Sequence, residues 1–173
     1  VIYADFLKVD LQDLVGKEPF AVIGNFPYNI STQILFKVLD YKDQIPEVVG
    51  MFQKEVAERV AAGPGSKTYG ITSVLLQAFY DVDYLFTVNE NVFDPPPKVK
   101  SAVIRLTRND KASLDCDEKK FKSVVKMAFN QRRKMLRKSL SSLLNEKTKE
   151  LPVMTQRPEQ LSVEDFVKLV NEI

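Results

Sequence analysis

The chain contains no histidine, no tryptophan and a single cysteine, Cys116. Without histidine and with only one thiol, the sequence argues against zinc sites and against Ser-His nucleophilic catalysis. A single cysteine also leaves no disulfide framework within the chain. No apolar run approaches the roughly 20 residues of a membrane span, and no signal-peptide pattern is visible. A function built on imidazole chemistry or on a metal site is therefore not expected.

What is present fits a globular protein with an uneven charge. Its 173 residues suffice for one well-packed core, or for one domain with a small appendage. Hydrophobic residues at 45% and charged residues at 28% are ordinary for a soluble domain. The net charge is only +2, yet residues 119–145 hold nine Lys or Arg and no Asp or Glu. This local excess predicts binding to a polyanion, with a solvated helix face as the alternative.

The chain is organised around residues 20–31. An apolar run at residues 20–23 predicts a buried strand that stops at Gly24, and a helical pattern follows from Ser31. Ser31 or Thr32 is the expected N-cap of that helix. In open α/β sheets, ligands bind at the carboxyl ends of the strands. The short segment between the strand and the helix is therefore the first candidate for a site.

The residue types of this segment suit recognition of an amine on a planar base. Asn25 offers a donor and an acceptor, and Pro27 fixes its own backbone so that its carbonyl can be held toward a site. Tyr28 supplies a flat face on which a ring can stack. The alternative that the residue types leave open is a strand-to-helix turn with Tyr28 in the core.

The remaining pattern predicts an α/β part followed by a helical part, divided into residues 1–109 and 110–173. Strands and helices alternate at first, which implies a mostly parallel sheet, and residues 82–88 and 99–107 are expected to pair antiparallel at its edge. Beyond residue 110 the apolar spacing is helical, and Ser162 with Asp165 predicts a capping box. The expected strands are 1–3, 20–23, 47–53, 82–88 and 99–107, and the expected helices are 31–42, 54–62, 71–79, one around 121–128, one over 136–144, and one after Ser162.

A stiff loop precedes the last expected strand. Pro95, Pro96 and Pro97 are consecutive, which excludes helix and central strand and gives a polyproline-like segment. Phe93 stands at the mouth of this loop, and Lys98 follows it. The alternative to a functional role for Phe93 is a hydrophobic plug beneath the prolines.

Three strings, in the same order along the chain, resemble one family. Residues 25–32, Asn-Phe-Pro-Tyr-Asn-Ile-Ser-Thr, are similar to the motif of adenine dimethyltransferases that modify small-subunit ribosomal RNA. Residues 93–103 and 128–140 resemble two further signatures of that family. The resemblance covers essentially the whole chain. It implies the C-terminal part of a Rossmann-like, S-adenosylmethionine-dependent methyltransferase sheet plus a small all-helical domain, and dimethylation of the exocyclic N6 of adenines.

The resemblance also implies roles for individual residues. Asn25 and the Pro27 carbonyl would accept hydrogen bonds from the adenine amine, and Tyr28 and Phe93 would stack on the base. Asp5 and Asn25 would contact the cofactor, although a turn-forming Asp5 is the alternative. RNA phosphates would be contacted by a set of cations, with a solvated helix face as the alternative. This set comprises Lys98, Arg132, Arg133, Lys134, Arg137 and Lys138.

One family feature has no match in the sequence, because no Gly-rich loop opens a helix after a strand. If the resemblance holds, the chain starts near the third strand, about the first third of the enzyme is absent, and a strand edge is left exposed. The expected partner is small-subunit ribosomal RNA or the pre-ribosomal small subunit, with no membrane and no metal. A monomeric, cytoplasmic protein is expected. The rival interpretations are a non-catalytic ribosome-assembly factor and a methyltransferase of large-subunit ribosomal RNA.

Overall fold

The computed structural model describes residues 1–173 and contains one four-stranded sheet. The sheet order is β1-β2-β4-β3. β1 and β2 are parallel, whereas β4 is antiparallel to both of its neighbours. The expected antiparallel pairing of the last two strands is therefore confirmed. The expectation of a mostly parallel sheet is wrong for these four strands, because β4 inserts between β2 and β3 and only β1 and β2 are parallel. The strands are β1 (Val22–Asn25), β2 (Glu47–Gln53), β3 (Tyr80–Val88) and β4 (Ser101–Arg108).

Eight helices accompany the sheet, and short 3₁₀ turns join several of them. None of the helices is long and apolar enough to cross a membrane. The helices are α1 (Leu11–Val15), α2 (Ser31–Asp40), α3 (Lys54–Ala61), α4 (Ile71–Gln77), α5 (Glu118–Asn130), α6 (Leu136–Ser139), α7 (Glu146–Lys149) and α8 (Val163–Glu172).

Two compact units emerge from the contacts. The first comprises residues 1–61 and 79–112 and holds the sheet with α1, α2 and α3. The second comprises residues 62–78 and 113–173 and holds α4 to α8. The sequence-based division differs in placing α4 with the sheet. The apolar spacing of α4 shows that one of its faces is buried, but it carries no information about which element covers that face.

The core of the first unit lies on one face of the sheet. In β2, Val48 and Phe52 are fully buried, while the residues between the buried positions are half-exposed. Their register partners in β4, Leu106 and Ala102, are buried as well. Side chains that pair directly across two strands point to the same face, so these residues form one apolar layer.

The second unit is a small helical core. Residues predicted to share one face of α5 are all buried, among them Phe121 and Val125. The capping box of α8 is confirmed, because the Ser162 hydroxyl accepts from Asp165 N–H at 3.1 Å and Asp165 Oδ2 accepts from Ser162 N–H at 3.0 Å. The hydroxyl of Tyr69 donates to the Leu161 carbonyl at 2.8 Å, which ties the segment before α4 to the segment before α8.

Several local predictions were wrong. Residues 1–3 form no strand and are exposed, since no strand pairs with them. β1 begins at Val22 and is not buried: Ile23 is 81% exposed, because no element covers the face of β1 to which its side chain points. The N-cap of α2 is Ile30 rather than a hydroxyl residue, since the Ser31 side chain donates to the Tyr28 carbonyl instead.

The helix predicted over residues 136–144 is also wrong. α6 ends at Ser139, and a separate 3₁₀ turn spans Ser141–Leu143. The N–H of Leu136 donates to the Gln156 carbonyl at 2.8 Å. The conformation of this region therefore depends on contacts with distant parts of the chain. Leu140 is buried, but Leu143 is 40% exposed and gives the second turn little apolar contact.

Candidate active site

Residues 25–30, from the last residue of β1 to the start of α2, are called the motif loop, and Phe26 anchors it. Phe26 is buried, and its N–H donates to the Met51 carbonyl at 3.1 Å, which extends the β1–β2 pairing. Its ring packs against Phe52 with centroids 4.8 Å apart. A Cβ on Gly50 would lie 2.2 Å from Phe26 Cε2. The ring therefore occupies the space that the missing side chain of Gly50 leaves.

The second half of the motif loop is held by hydrogen bonds. The Pro27 carbonyl accepts from Ile30 N–H at 3.3 Å, and the buried Ser31 hydroxyl donates to the Tyr28 carbonyl at 3.2 Å. The Tyr28 hydroxyl is hydrogen-bonded to the hydroxyl of Ser101 at the start of β4. The backbone and the aromatic ring of this loop are thus both fixed by the fold.

A second loop, residues 89–100, is called the Pro loop and connects β3 to β4. The Asn89 side chain accepts from Asn91 N–H at 2.9 Å and caps a 3₁₀ turn over Glu90–Val92. Phe93 follows this turn, and its N–H donates to the Glu90 carbonyl at 3.3 Å. Phe93 is half-buried, so the loop does not enclose it as a plug.

The two loops together line one pocket of about 340 Å³, called the aromatic pocket. Four of the predicted site residues are among its lining residues, and they come from positions about seventy residues apart in the chain. Its lining comprises Asn25, Phe26, Pro27, Tyr28, Phe93, Pro95 and Pro97. A concave, mostly apolar site with a few polar groups is the usual form of a small-ligand site.

The chemistry of the aromatic pocket is that of recognition. No carboxylate, amine or imidazole lines it, so it holds no general base that works near neutral pH. Its polar groups are the exposed Asn25 amide, the Tyr28 hydroxyl and main-chain carbonyls. The Pro27 carbonyl already accepts one hydrogen bond and has a second lone pair, and the Phe26 carbonyl accepts none within the chain. Such acceptors suit an amine that carries N–H groups.

The other predicted site residues lie outside the aromatic pocket, and Asp5 and Lys98 are the two of them in the first unit. Asp5 is exposed: its Oδ1 accepts from Leu7 N–H at 3.0 Å, and its Oδ2 lies 3.8 Å from Lys8 Nζ. This is the turn geometry that was the alternative for Asp5. Lys98 is exposed and lines a separate pocket of about 450 Å³, whose charged lining is mixed: Lys54 and Lys100 with Glu55, Glu58 and Glu90.

The remaining predicted cations form the basic cluster of the second unit, defined as Arg132, Arg133, Lys134, Arg137 and Lys138. They do not share one helix face, because α5 ends at Asn130 and α6 begins at Leu136. Arg132 is half-buried and donates to the Ser66 carbonyl at 3.1 Å. The other four are exposed and form no ion pair. Arg132 is thus engaged within the fold, whereas the others are open to a ligand.

Sequence reasoning missed two residues that shape the aromatic pocket, Gly50 and Ser101. A glycine inside a strand often marks a close approach of another group, so Gly50 carried a usable signal. Ser101 carried none, because its role depends on a contact with a residue 73 positions earlier in the chain.

Comparison with known proteins gives a consistent result. The sequence model of the family described as "Ribosomal RNA adenine dimethylase" matches residues 1–173. The protein named "Ribosomal RNA small subunit methyltransferase A" from Parabacteroides distasonis is 67% identical over 98% of this chain, and that from Cytophaga hutchinsonii is 66% identical over 99%. The chain spans 64% and 66% of the lengths of these two relatives, which is less than two thirds.

Solved structures agree on the fold. A dimethyladenosine transferase from Plasmodium falciparum superimposes with a TM-score of 0.77 and 25% identity, over 88% of this chain and 66% of that one. The 23S rRNA methyltransferase ErmE superimposes with a TM-score of 0.68 over 98% of this chain and 71% of that one. At 23% identity, the second likeness shows the fold alone.

Proposed function

The chain belongs to the ribosomal RNA adenine dimethylase family, and we propose that it carries the base-binding site of an S-adenosylmethionine-dependent enzyme that dimethylates N6 of adenines in small-subunit ribosomal RNA. The observation that carries the proposal is the aromatic pocket, in which Asn25 and main-chain carbonyls stand beside Tyr28 and Phe93. The relatives named small subunit methyltransferase A support the choice of RNA.

Tyr28 and Phe93 hold the target base. An enzyme that modifies a base within RNA takes it out of the stack, at a cost of a few kcal/mol. Stacking on an aromatic side chain contributes roughly 1–3 kcal/mol per base, so two rings offset most of this cost. The hydrogen bonds that fix the two loops prepare the pocket before RNA binds, which limits the ordering that binding requires.

Asn25 and a main-chain carbonyl of the motif loop orient the amine. S-adenosylmethionine, when bound, supplies a methyl group on a sulfonium centre. The Asn25 amide oxygen and the carbonyl of Pro27, or that of Phe26, accept the two N–H groups of the adenine amine. These bonds direct the nitrogen lone pair and stabilise the positive charge that develops on the nitrogen. No strongly basic side chain is needed, in keeping with the absence of one from the pocket lining.

The residues available for the cofactor are Asp5 and Asn25. The Asp5 carboxylate is exposed. Its Oδ1 accepts from Leu7 N–H and its Oδ2 lies 3.8 Å from Lys8 Nζ, and its remaining lone pairs leave acceptor capacity for an exocyclic amino group. Asn25 lies at the carboxyl end of β1, where ligands of such sheets bind. In this proposal both side chains accept hydrogen bonds from the adenosine part of the cofactor.

The basic cluster and Lys98 are the proposed contacts to RNA phosphates. Phosphate contacts position RNA without reading its sequence, so exposed cations without ion-pair partners are suited to this task. The protein would act on the pre-ribosomal small subunit in the cytoplasm. Arg132 is less available than its neighbours to contact phosphates, because its guanidinium already donates to the Ser66 carbonyl.

The test is Asn25→Ala in the full-length protein, assayed with S-adenosylmethionine and unmethylated small ribosomal subunits. We expect the rate of methyl transfer to fall by about 100-fold, as for the loss of one oriented hydrogen-bonding group at a reacting centre. Asn29→Ala is the matched control, because Asn29 belongs to the same loop but does not line the pocket.

Three results would contradict the proposal in different ways. If Asn25→Ala still dimethylates the RNA, Asn25 does not have the proposed role in orienting the amine. Modified adenines that map to large-subunit RNA would assign the other substrate. A full-length wild-type protein that binds RNA but transfers no methyl group would favour the non-catalytic assembly factor.

A further inference from the structure

The two aromatic side chains of the pocket come from two different loops, and Ser101 connects these loops. Ser101 is the first residue of β4 and directly follows the Pro loop that carries Phe93. Its hydroxyl is hydrogen-bonded to the hydroxyl of Tyr28 in the motif loop. The Ser101 side chain therefore ties the Tyr28 ring to the strand at which the Pro loop ends.

Ser101 is a rigid point of attachment. It is 0% exposed, and in the sheet it is the register partner of Gln53 in β2 and of Val88 in β3. A residue with a strand on each side has little backbone freedom. Its hydroxyl can exchange no hydrogen bond with water, so the bond to Tyr28 is also what satisfies it.

The Tyr28 ring is the part of the pocket that packing holds least firmly. It is half-buried and lines an open pocket of about 340 Å³, so packing encloses only part of its ring. The hydroxyl stands at the end of the ring opposite its attachment to the backbone. A hydrogen bond at that end restrains the tilt of the ring, which packing at the Cβ end does not.

We propose that Ser101 is a positioning residue: through its hydrogen bond to the Tyr28 hydroxyl, it holds the Tyr28 ring at the spacing from Phe93 that admits one planar base. The inference rests on the proposed function, in which these two rings receive the flipped adenine. Ser101 itself does not line the pocket and does not touch the base. Its effect passes through Tyr28.

The experiment compares Ser101→Ala, Tyr28→Phe and the double variant in the full-length protein. Each single variant removes the same hydrogen bond from one side and keeps the aromatic ring. We expect kcat to fall by about tenfold in each while KM for the ribosomal subunit changes little, since positioning is lost rather than RNA affinity. The double variant should be no slower than the slower single variant, because the shared bond can be lost only once.

A second readout follows the base and the ring themselves. RNA with 2-aminopurine at the target adenine reports stacking by its fluorescence, and NMR of isotope-labelled tyrosine reports the mobility of the Tyr28 ring. The 2-aminopurine signal should change in both single variants, and the Tyr28 ring signal should change in Ser101→Ala, the single variant that keeps the tyrosine. Ser73→Ala is the control, because Ser73 is equally buried and accepts from Gly70 N–H at 3.0 Å, but does not line the pocket. It should lower stability without changing kcat or either signal.

The outcomes separate this inference from the proposed function. Multiplicative losses in the double variant, or Tyr28 ring signals unchanged by Ser101→Ala, would overturn the positioning role. Effects of equal size in Ser73→Ala would also overturn it, since they would show a general loss of stability. If the wild-type protein transfers no methyl group, the proposed function fails, and the ring signals still decide whether Ser101 holds Tyr28.

Discussion

The packing of Phe26, which anchors the motif loop, depends directly on the absence of a side chain at Gly50. In Gly50→Ala, the new Cβ would lie 2.2 Å from Phe26 Cε2 and 2.8 Å from Phe52 Cε2, and both rings are buried. We expect the free energy of unfolding to fall by about 1–3 kcal/mol, as for other over-packed cores. Methyl transfer should fall as well, because Phe26 must move and the neighbouring Asn25 moves with it. Urea unfolding and the transfer assay in the full-length protein measure the two effects.

Gly24 provides the matched control for that prediction. It is the register partner of Gly50, and a Cβ there would lie 3.4 Å from the nearest atom of Phe26, which is ordinary contact. Gly24→Ala should therefore change stability by less than about 1 kcal/mol. Equal effects of the two substitutions would show that the packing of Phe26 against Gly50 does not hold the loop.

Tyr80 makes the stability of the sheet unit sensitive to alkaline pH. Its hydroxyl donates to the Ile45 carbonyl at 2.8 Å, and burial raises the pKa of Tyr80 from 10.0 to about 12. Between these values the unfolded chain has lost a proton that the folded chain retains, so stability falls as the pH rises from about 10 to 12. The loss should reach about 2–3 kcal/mol, and it is absent below pH 10.

Urea unfolding at a series of pH values tests this assignment. Tyr80→Phe should flatten the decline above pH 10 and cost about 1 kcal/mol at neutral pH through the lost hydrogen bond. Part of the decline should remain, because burial also raises the pKa of Tyr69. Tyr3→Phe, at an exposed position, should leave the pH profile unchanged. A profile identical in Tyr80→Phe and wild type would refute the role of Tyr80.

At the scale of elements, the sequence predicted correctly those helices and strands whose formation depends on residues close together in the chain. β2, α5 and the capping box of α8 follow from spacing and from residues three positions apart. The break between α6 and the following 3₁₀ turn did not, because it depends on Leu136 bonding to a segment about twenty residues later. Exposure of β1 was missed for a similar reason: an apolar run shows that a strand can be buried, but not whether an element covers it.

The α8 capping box permits a direct measurement at this scale. Ser162→Ala removes the acceptor for Asp165 N–H and should lower the free energy of unfolding by about 1 kcal/mol. The penalty should be visible in urea unfolding because α8 contributes Phe166 and Leu169 to the core of its unit. Ser113→Ala, at an exposed position outside any helix, is the control. Equal stability of the two variants would mean that packing alone fixes the start of α8.

For the whole molecule, the net charge of +2 conceals the excess of positive charge in residues 119–145, on which the proposed RNA contacts largely depend. The sequence was sufficient to find that excess and the motif of the aromatic pocket. It was not sufficient to separate Arg132, which binds a backbone carbonyl, from its exposed neighbours. That distinction needs the fold, since the Ser66 carbonyl lies 66 residues earlier in the chain.

The exposed part of the basic cluster should reveal itself in the salt dependence of RNA binding by the full-length protein. Replacing Lys134, Arg137 and Lys138 by alanine should weaken binding and reduce the slope of log K against log salt by about 2, at roughly 0.7 for each lost phosphate contact to single-stranded RNA. The control replaces Lys17, Lys147 and Lys168, which are exposed and lie outside the cluster. It removes the same net charge, so a general electrostatic effect would lower both slopes equally and contradict the assignment. A slope lowered only by the cluster variant would mean that RNA phosphates contact these side chains themselves.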